Sequence, residues 1–384
     1  MNPYSAEHPV PPERFAGRRE QIAAFSRYLS DTLDGNSKNI AVLGGWGIGK
    51  TSLLRIFRHL AEQQGCMTTI IELGEGTDSL IGLFETITAS LAADAARVRG
   101  SDLRVKEFLE GLSLSVRYGP LGVSFSERKK AAPNILKFRE DLLSISRRCN
   151  APFLVMLDNA EQLLRIGGSL MELRNTFQTV QAMDGVPCML VLAGRENLFS
   201  GIRSVSEPAA RFFWPIKVEP FTCRETEEAV SKPLAQSPVH FTAECIRRIF
   251  EVSEGHPYFV QVFAYNLFAA RKGDRITAED LDENFPRMLT FIGKRLFVFL
   301  FSQATSNEKR ILLAFAAAER ATLSNAEIAG ICGVKSVNVY LQRLAATDPP
   351  MVVRGGRGQY ALFHPLFREW LRRLPPSAQE DADL

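Results

Sequence analysis

The chain has 384 residues, and at about 150 residues per domain this length favours two or three domains. Hydrophobic residues make up 46% and charged residues 23% of the chain, a composition that excludes a disordered protein and is typical of globular ones. The net charge of +3 is too small to indicate a nucleic-acid partner, although an average can hide a local basic face.

We expect neither a membrane span nor a secretory signal in this sequence. No apolar run reaches the roughly 18 residues of a membrane span, and the first residues, MNPYSAEHPVPPERF, lack the apolar stretch of a secretory signal. We therefore expect no membrane partner. The cysteines are widely spaced, without a CxxC pair, which disfavours zinc and disulfide frameworks and favours a reducing cytoplasm. They are Cys66, Cys149, Cys188, Cys223, Cys245 and Cys332.

The first half of the chain has the pattern of an α/β domain. Residues 1–14 are Pro-rich and are predicted to be extended, and apolar spacing predicts a helix over Phe15–Leu33. A further helical run, Leu53–Gln64, follows the first of several apolar runs. Such runs, separated by helices, indicate a parallel sheet covered on both faces, hence a three-layer core over residues 1–220. The predicted strands are Asn39–Leu43, Met67–Leu73, Pro152–Leu157, Cys188–Ala193 and Trp214–Val218.

Other patterns predict an insertion and two smaller domains. Alternating residues around Gly-Pro predict a β-hairpin near residues 112–127, whose apolar side needs cover from its own domain, a second subunit or a protein partner. Residues 221–300 have helical patterns throughout and are predicted to form a helical lid. The order of three helices and a hairpin (MVVRGGRGQYALF) predicts a winged helix over residues 301–374, and the acidic tail 375–384 is expected to be disordered.

The strongest pattern is a phosphate-binding loop of the form GxxxxGK[ST], placed between a predicted strand and a predicted helix. Its glycines allow backbone N–H groups to surround phosphates at a helix N-terminus. The lysine is expected to reach the β- and γ-phosphates, and the threonine hydroxyl to ligate Mg²⁺. The predicted ATP-binding residues are Gly44, Gly45, Trp46, Gly47, Ile48, Gly49, Lys50, Thr51 and Ser52.

Acidic residues follow the third predicted strand, PFLVMLD. Asp158 ends this strand and is predicted to be the Walker B residue that, with Thr51, holds the Mg²⁺. Asn159 occupies the next position, where many proteins with such a phosphate-binding loop have a catalytic glutamate. Glu161 either polarises the attacking water or is a solvent-facing or helix-dipole carboxylate, and the sequence leaves both open. ATP binding is therefore better supported than rapid hydrolysis.

With these motifs the chain resembles P-loop ATPases of the AAA+/STAND type that are related to archaeal and bacterial origin-recognition proteins, over about Pro9–Arg373. FAGRRE is similar to the family's F-x-G-R-E box over the adenine, and Gly17 and Arg18 match it. Arg19 stands where the family usually has Glu. LVLAGR resembles the sensor 1 strand, which implies that Arg195 reads the γ-phosphate.

The resemblance implies further site residues. Arg211 matches the region of the AAA+ arginine finger, which implies self-association through this residue; the alternative is a solvated or salt-bridged side chain. GHPY is similar to the GxP turn of the STAND lid, which implies that Pro257 lies near the nucleotide. YALFHPLFREWL is similar to the closing segment of the family's winged helix. His364 stands there in place of Asp, either touching phosphate or acting as a surface or cap histidine.

The winged helix has two interpretations. A DNA-binding domain of this type uses its third helix and its hairpin, which here offer several polar and basic residues. Alternatively, the apolar residues of the third helix pack on the ATPase core and hold it closed. The residues available for DNA are Lys335, Asn338, Gln342, Arg343, Arg354 and Arg357.

Three functions follow from these patterns. The first is an ATP-dependent molecular switch, a slow Mg²⁺-dependent ATPase whose nucleotide state is coupled to the positions of lid and winged helix. The second is an ATP-regulated DNA-binding initiator or loader. The third, a small-molecule kinase, has the least support, because it gives the lid and the winged helix no role.

Overall fold

The computed structural model describes residues 2–5, 8–74, 77–98, 116–119, 122–125, 135–356 and 358–375, without the side chains of 98, 116–119 and 122–125. Within these ranges no helix is both long and apolar enough to cross a membrane. Residues 376–384 of the predicted tail and Arg357 lie outside the described residues.

The chain forms two compact units. The core unit comprises Pro9–Gly45 and Gly49–Glu219, and the C-terminal unit comprises Met1–His8, Trp46–Ile48 and Pro220–Leu384. The start of the chain and the tip of the glycine-rich loop thus belong to the same unit as the second half of the sequence.

The core unit contains a parallel sheet with the strand order β2-β5-β6-β1-β7, which makes β7 an edge strand. Strands β1, β5 and β6 are buried along their whole length, because helices cover both faces of the sheet. Pro215 lies on β7. Because β7 is an edge strand, the missing N–H of this proline does not interrupt hydrogen bonding between two neighbouring strands. The strands of this unit are β1 (Asn39–Leu43), β2 (Met67–Glu72), β3 (Val116–Gly119), β4 (Gly122–Phe125), β5 (Phe153–Asp158), β6 (Cys188–Gly194) and β7 (Phe213–Lys217).

Helices flank this sheet, and their apolar residues form one core with the strands. Stacked pairs Phe25–Phe57 and Phe84–Phe138 join α1 to α2 and α3 to α4. The helices are α1 (Arg19–Leu33), α2 (Lys50–Gln63), α3 (Leu80–Val98), α4 (Ile135–Cys149), α5 (Ser169–Ala182), α6 (Leu198–Val205) and α7 (Glu207–Phe212). The predicted P-loop NTPase fold with a parallel sheet is confirmed.

The predicted insertion is present as an antiparallel pair. Strands β3 and β4 pair from Val116 opposite Phe125 to Gly119 opposite Gly122.

The C-terminal unit begins with a helical part. Its elements are α8 (Cys223–Ser231), β8 (His240–Phe241), α9 (Ala243–Ser253), α10 (Pro257–Ala270), β9 (Arg275–Ile276), α11 (Ala278–Ile292), a π-helical turn (Gly293–Phe297) and α12 (Val298–Gln303).

The remainder of this unit has the element order of a winged helix. A three-stranded sheet of order β10-β12-β11 packs with four helices. The elements are α13 (Ser306–Ala317), β10 (Thr322–Ser324), α14 (Asn325–Cys332), α15 (Val337–Ala346), β11 (Val352–Gly356), β12 (Gln359–Leu362) and α16 (Pro365–Arg372).

Several predicted boundaries are wrong. The first helix begins at Arg19 rather than Phe15, because Gly17 and Arg18 have positive φ, which a right-handed helix excludes. Residues 1–14 are not wholly extended, since Pro12–Arg14 form a 3₁₀ turn. The lid is not helical throughout, because β8 and β9 pair in parallel. Strand β10 adds a third strand to the predicted hairpin of the winged helix.

Candidate nucleotide-binding site

The glycine-rich loop connects β1 to α2 at the carboxyl edge of the sheet. Its first residue, Gly44, donates its N–H to the carbonyl of Gly194 at the end of β6 (3.1 Å), which fixes the start of the loop on the neighbouring strand. Gly49 has φ +93° and precedes the first residue of α2, so the chain enters the helix through a conformation that favours glycine. The helix N-terminus therefore directs its N–H groups toward the loop.

Lys50 lies across this loop. Its ammonium group donates to the carbonyl oxygens of Gly44 (3.0 Å) and Gly45 (2.7 Å). These bonds compensate the positive charge and keep the amine on the loop.

Thr51 and Asp158 come together below the loop. The Thr51 hydroxyl donates to Oδ2 of Asp158 (2.5 Å), whose Oδ1 accepts the N–H of Asn159 (3.0 Å). Asp158 is 4% exposed, so this carboxylate is removed from water and both of its oxygens are hydrogen-bonded. A hydroxyl and a carboxylate are the oxygen ligands that Mg²⁺ prefers, and the pair fits that ion.

The tip of the loop packs inside the C-terminal unit. Nε2 of His256 is hydrogen-bonded to the carbonyl oxygen of Trp46 (2.9 Å), and the rings of Trp46 and Tyr258 meet at 4.8 Å. Gly47 has φ +64°, and a Cβ added there would lie 2.9 Å from the His256 ring and 3.1 Å from Cβ of Tyr258. This position therefore requires glycine for both backbone conformation and space. Pro257 is buried and begins α10.

Gly17 and Arg18 form a left-handed turn at the start of α1. The guanidinium of Arg18 donates to the carbonyl oxygen of Glu219, beyond the end of β7, and the side chain is 4% exposed. Ser52, which follows Thr51, accepts the N–H of Val10 (3.1 Å) on its hydroxyl. Both contacts tie chain segments of the core unit to the elements around the loop.

Glu161 and Arg195 meet at the end of β6. The backbone N–H of Arg195 donates to Oε1 of Glu161, which lies in the 3₁₀ turn Ala160–Arg165 after β5. A Cβ added at Gly194 would be 2.8 Å from the same oxygen. The Glu161 carboxylate thus ties the turn after β5 to the end of β6.

Residues 14–191 match the family described as the AAA ATPase domain. A curated protein, the uncharacterized HTH-type transcriptional regulator MJ0774 of Methanocaldococcus jannaschii, is 22% identical over 273 residues. The match covers 67% of this chain and 64% of that protein, which is less than two thirds of the relative's length.

Solved structures have the same fold over nearly the whole chain. The ORC2 protein of Aeropyrum pernix, solved as ADPNP-ADP complexes, has a TM-score of 0.64 at 16% identity and covers 98% of this chain and 96% of its own. The Walker-type ATPase PABY2304 of Pyrococcus abyssi has a TM-score of 0.62 at 18% identity, covering 94% and 97%. The A. pernix ORC1 protein in complex with DNA has a TM-score of 0.50 at 15% identity, covering 96% and 95%.

Outside the AAA ATPase domain match, Arg211 lies at the end of α7, and its side chain is 78% exposed. It forms an ion pair with Glu207 (3.4 Å), which also pairs with Arg203 (3.6 Å). Exposed pairs of this kind contribute little to stability, so the guanidinium remains accessible to a partner.

His364 is a cap in the interior of the C-terminal unit. Its Nδ1 accepts the N–H of Leu366 (3.1 Å) at the start of α16, and its Nε2 contacts the carbonyl of Ser253 (2.9 Å). Because the first nitrogen accepts, Nε2 carries the proton and the ring is neutral. Burial lowers the pKa of His364 to about 4. Of the two roles considered for His364, this geometry favours the cap.

Two polar residues of the winged helix, Arg343 and Asn338, have side-chain partners within the same unit. Arg343 forms an ion pair with Glu308 (3.3 Å), whose side chain is 5% exposed. The carboxamide oxygen of Asn338 accepts the Tyr360 hydroxyl (3.4 Å). Lys335, Gln342 and Arg354 are exposed. The described surface of α15 and β11 therefore offers fewer uncompensated charges than the sequence predicts.

Two features near the glycine-rich loop were not predicted from the sequence. His256 was not among the predicted site residues, yet it contacts the loop tip. Glu72 ends β2 and was not considered, although it was identifiable in the same way as Asp158, as an acid that ends an apolar run.

Proposed function

We propose that this protein is an ATP- and Mg²⁺-binding molecular switch of the STAND type that hydrolyses ATP slowly. The observation that carries this proposal is the 2.5 Å contact between Thr51 and the buried Asp158, below a loop that holds the Lys50 amine. A lysine and a hydroxyl at the start of α2, with a buried carboxylate at the end of β5, have the charges and ligand types that a Mg²⁺-bound triphosphate requires.

Each residue has a role in binding. The Lys50 amine leaves the carbonyls of Gly44 and Gly45 to contact the β- and γ-phosphates, while the N–H groups around Gly47 and Gly49 face the phosphate oxygens. Thr51 and Asp158 hold the Mg²⁺, which supplies charge neutralisation at the phosphates. Arg195 lies at the end of β6 and contacts the γ-phosphate. The turn at Gly17 and Arg18 supports the adenine side.

The switch requires that nucleotide states differ in affinity for two arrangements of the chain. The packing of Trp46 and Gly47 with His256 and Tyr258 supports such coupling, because a nucleotide that changes the loop tip also changes its contacts before α10. Pro257, next to these contacts, fixes the backbone at that point. The position of the helical part and of the winged helix then reports the nucleotide state.

The proposal is tested by calorimetric titration of the full chain with Mg²⁺-ATP and Mg²⁺-ADP. Lys50→Ala removes charge-assisted hydrogen bonds to phosphate, and we expect ATP affinity to fall by about 10- to 100-fold. The matched control is Lys217→Ala, because Lys217 is an exposed lysine of β7. Equal affinities of Lys50→Ala and the unmodified chain would remove the nucleotide assignment.

A second candidate function is an ATP-regulated DNA-binding initiator or loader. It is favoured by the exposed Lys335 and Arg354 on the winged helix and by the likeness of the fold to a protein solved with DNA. Because Glu308 compensates the charge of Arg343, DNA binding is the second candidate function rather than the first.

This candidate is tested with a random-sequence duplex at several salt concentrations. If DNA binds here, substitution of Lys335 and Arg354 by alanine lowers affinity, and each lost phosphate contact reduces the salt slope by about one. No binding at low salt, with or without ATP, removes the DNA function.

Self-association through Arg211 belongs to the first proposal, as a guanidinium that reaches the nucleotide of a second copy. Its support is the exposure of Arg211 beside Glu207, a pair that a partner's phosphate displaces at little cost. Mass measurement in ADP and in ATP tests it: we expect a larger species in ATP alone, and a monomer in both states would leave Arg211 without this role.

A further inference from the structure

Two carboxylates lie side by side at the edge of the sheet that carries the glycine-rich loop. Strands β2 and β5 pair in parallel and in register, so that Glu72 stands opposite Asp158 where both strands end. Asp158 is buried and bonded to Thr51, whereas Glu72 is exposed to solvent. One of the two acids is thus placed for the metal, and the other is accessible to water.

Asn159 connects these two acids. It has φ +53°, a left-handed conformation that asparagine tolerates. Its backbone N–H donates to Asp158 (3.0 Å), and its side-chain amide donates to Oε1 of Glu72 (3.3 Å). The residue directly after the buried carboxylate therefore holds a carboxylate from the neighbouring strand through its amide.

The carboxylate of Glu161 contacts the backbone at the end of β6. Oε1 of Glu161 accepts the N–H of Arg195 and would lie 2.8 Å from a Cβ added at Gly194. This carboxylate is therefore engaged by the backbone at the end of β6, while that of Glu72 is held by a side-chain amide and reached by solvent.

We infer that Glu72, oriented by Asn159, is the carboxylate that activates the attacking water in ATP hydrolysis. This inference rests on the proposed function. A base at this point needs an acceptor oxygen and access to water. Of the two carboxylate oxygens of Glu72, only Oε1 is hydrogen-bonded among the described residues, and the side chain is exposed on the strand beside Asp158. Asn159 acts as a positioning residue through its amide.

In the hydrolysis step, the water oxygen forms a bond to the γ-phosphorus of ATP. The bond from that phosphorus to the oxygen bridging the β- and γ-phosphates breaks. The proton released by the water passes to the Glu72 carboxylate and then returns to the phosphate. The products are ADP and inorganic phosphate.

The first test compares single-turnover hydrolysis in the full-length chain and in Glu72→Gln. Glutamine keeps an oxygen that accepts from Asn159 but cannot take a proton, so the fold is retained and turnover falls by about 100-fold or more. The matched control is Glu140→Gln, because Glu140 is an exposed glutamate of α4. Thermal unfolding of each variant verifies that the fold is intact.

A second readout does not depend on hydrolysis. A carboxylate near the γ-phosphate repels its charge, so Glu72→Gln binds a non-hydrolysable ATP analogue about fivefold more tightly. Affinity for ADP, which lacks that phosphate, stays unchanged. A purely structural role for Glu72 predicts no such difference between the two nucleotides.

The outcomes are distinct. Failure of the unmodified chain to bind ATP overturns the proposed function and this inference together. Nucleotide binding with equal turnover and equal analogue affinity in Glu72→Gln overturns the inference alone, as does loss of turnover in Glu161→Gln but not in Glu72→Gln. Exchange of the pair is the last check: Glu72→Asn loses turnover, and adding Asn159→Glu to it restores a carboxylate and recovers turnover. Absence of recovery contradicts the role of the pair.

Discussion

Among single residues, His364 shows how a titratable group is used as a structural cap. Both ring nitrogens contact backbone groups, one at the start of α16 and one at Ser253. Burial lowers the pKa of this imidazole from 6.5 to about 4. Because the unfolded chain binds a proton at the ordinary pKa, it carries more protons than the folded chain between these values, and protonation favours unfolding there.

We therefore expect the free energy of unfolding to be highest above about pH 6.5 and to fall as pH decreases toward about 4. His364→Asn keeps an oxygen for the N–H of Leu366 but does not titrate. Between about pH 7 and pH 5, the unmodified chain loses about 1 to 2 kcal/mol more than this variant. Urea denaturation at both pH values measures the difference. His256, whose ring lies 5.9 Å away, is present in both proteins. Parallel pH profiles would show that His364 does not carry the effect.

The candidate site shows which residue-level features a sequence can predict. Glycine and lysine positions of the loop are local, since the chain between β1 and α2 determines them. Lys50 contacts the loop carbonyls, and Thr51 contacts Asp158. The partner of Asn159 is not local. Glu72 becomes its neighbour only because β2 lies beside β5, and strand order is decided by packing of the whole sheet.

At the level of elements, α16 stabilises the end of α13 through two arginines one turn apart. Arg368 donates to the carbonyls of Phe315 (3.0 Å), Ala318 and Arg320 (2.9 Å). Arg372 donates to the carbonyls of Ala316 (2.8 Å) and Ala318 (3.0 Å). Carbonyls at a helix C-terminus have no partner within the helix, and these guanidinium groups supply one.

We expect Arg368→Met to lower the free energy of unfolding by about 1 to 3 kcal/mol, because several carbonyls lose a charged donor at once. Arg373→Met beside the same helix is the matched control. Arg373 forms a partly exposed pair with Glu369 (2.8 Å), worth less than about 1 kcal/mol, and lies over the ring of Phe285 (5.8 Å). Chemical denaturation of both variants measures the two effects. Equal losses would mean that the arginines act through general packing or charge rather than through the α13 cap.

Strands were predicted correctly where the apolar residues form a continuous run. Strands β1, β5 and β6 of the core sheet are short, wholly buried segments, and their apolar composition identifies them. The pairs β8–β9 and β10–β12 were missed, because a strand of two or three residues has no measurable period and exists only through its partner. The start of α1 was predicted too early, because the residue type of Arg18 does not indicate its left-handed backbone conformation.

For the whole molecule, the division into two units does not follow the order of the chain. The first residues belong to the unit made mainly of residues after Pro220, although the sequence predicts them as an extended segment of the first domain. Tyr4 is 3% exposed, its ring meets those of Phe241 and Phe268 at 6.0 Å, and its hydroxyl donates to the carbonyl of Val230 (2.5 Å). Burial raises the pKa of Tyr4, so the phenol keeps the proton that it donates.

We expect Tyr4→Ala to destabilise the C-terminal unit by about 3 kcal/mol, because a fully buried aromatic ring leaves a cavity between α10 and β8. Tyr4→Phe keeps the ring and loses only the hydrogen bond, at a cost of about 1 kcal/mol. Tyr265→Ala, at a partly exposed ring of α10, is the control. Limited proteolysis in mild denaturant locates the effect: new cleavage in Tyr4→Ala is expected after Pro220, although the substitution lies near the N-terminus. Cleavage confined to Pro9–Glu219 would contradict the assignment of these first residues to the C-terminal unit.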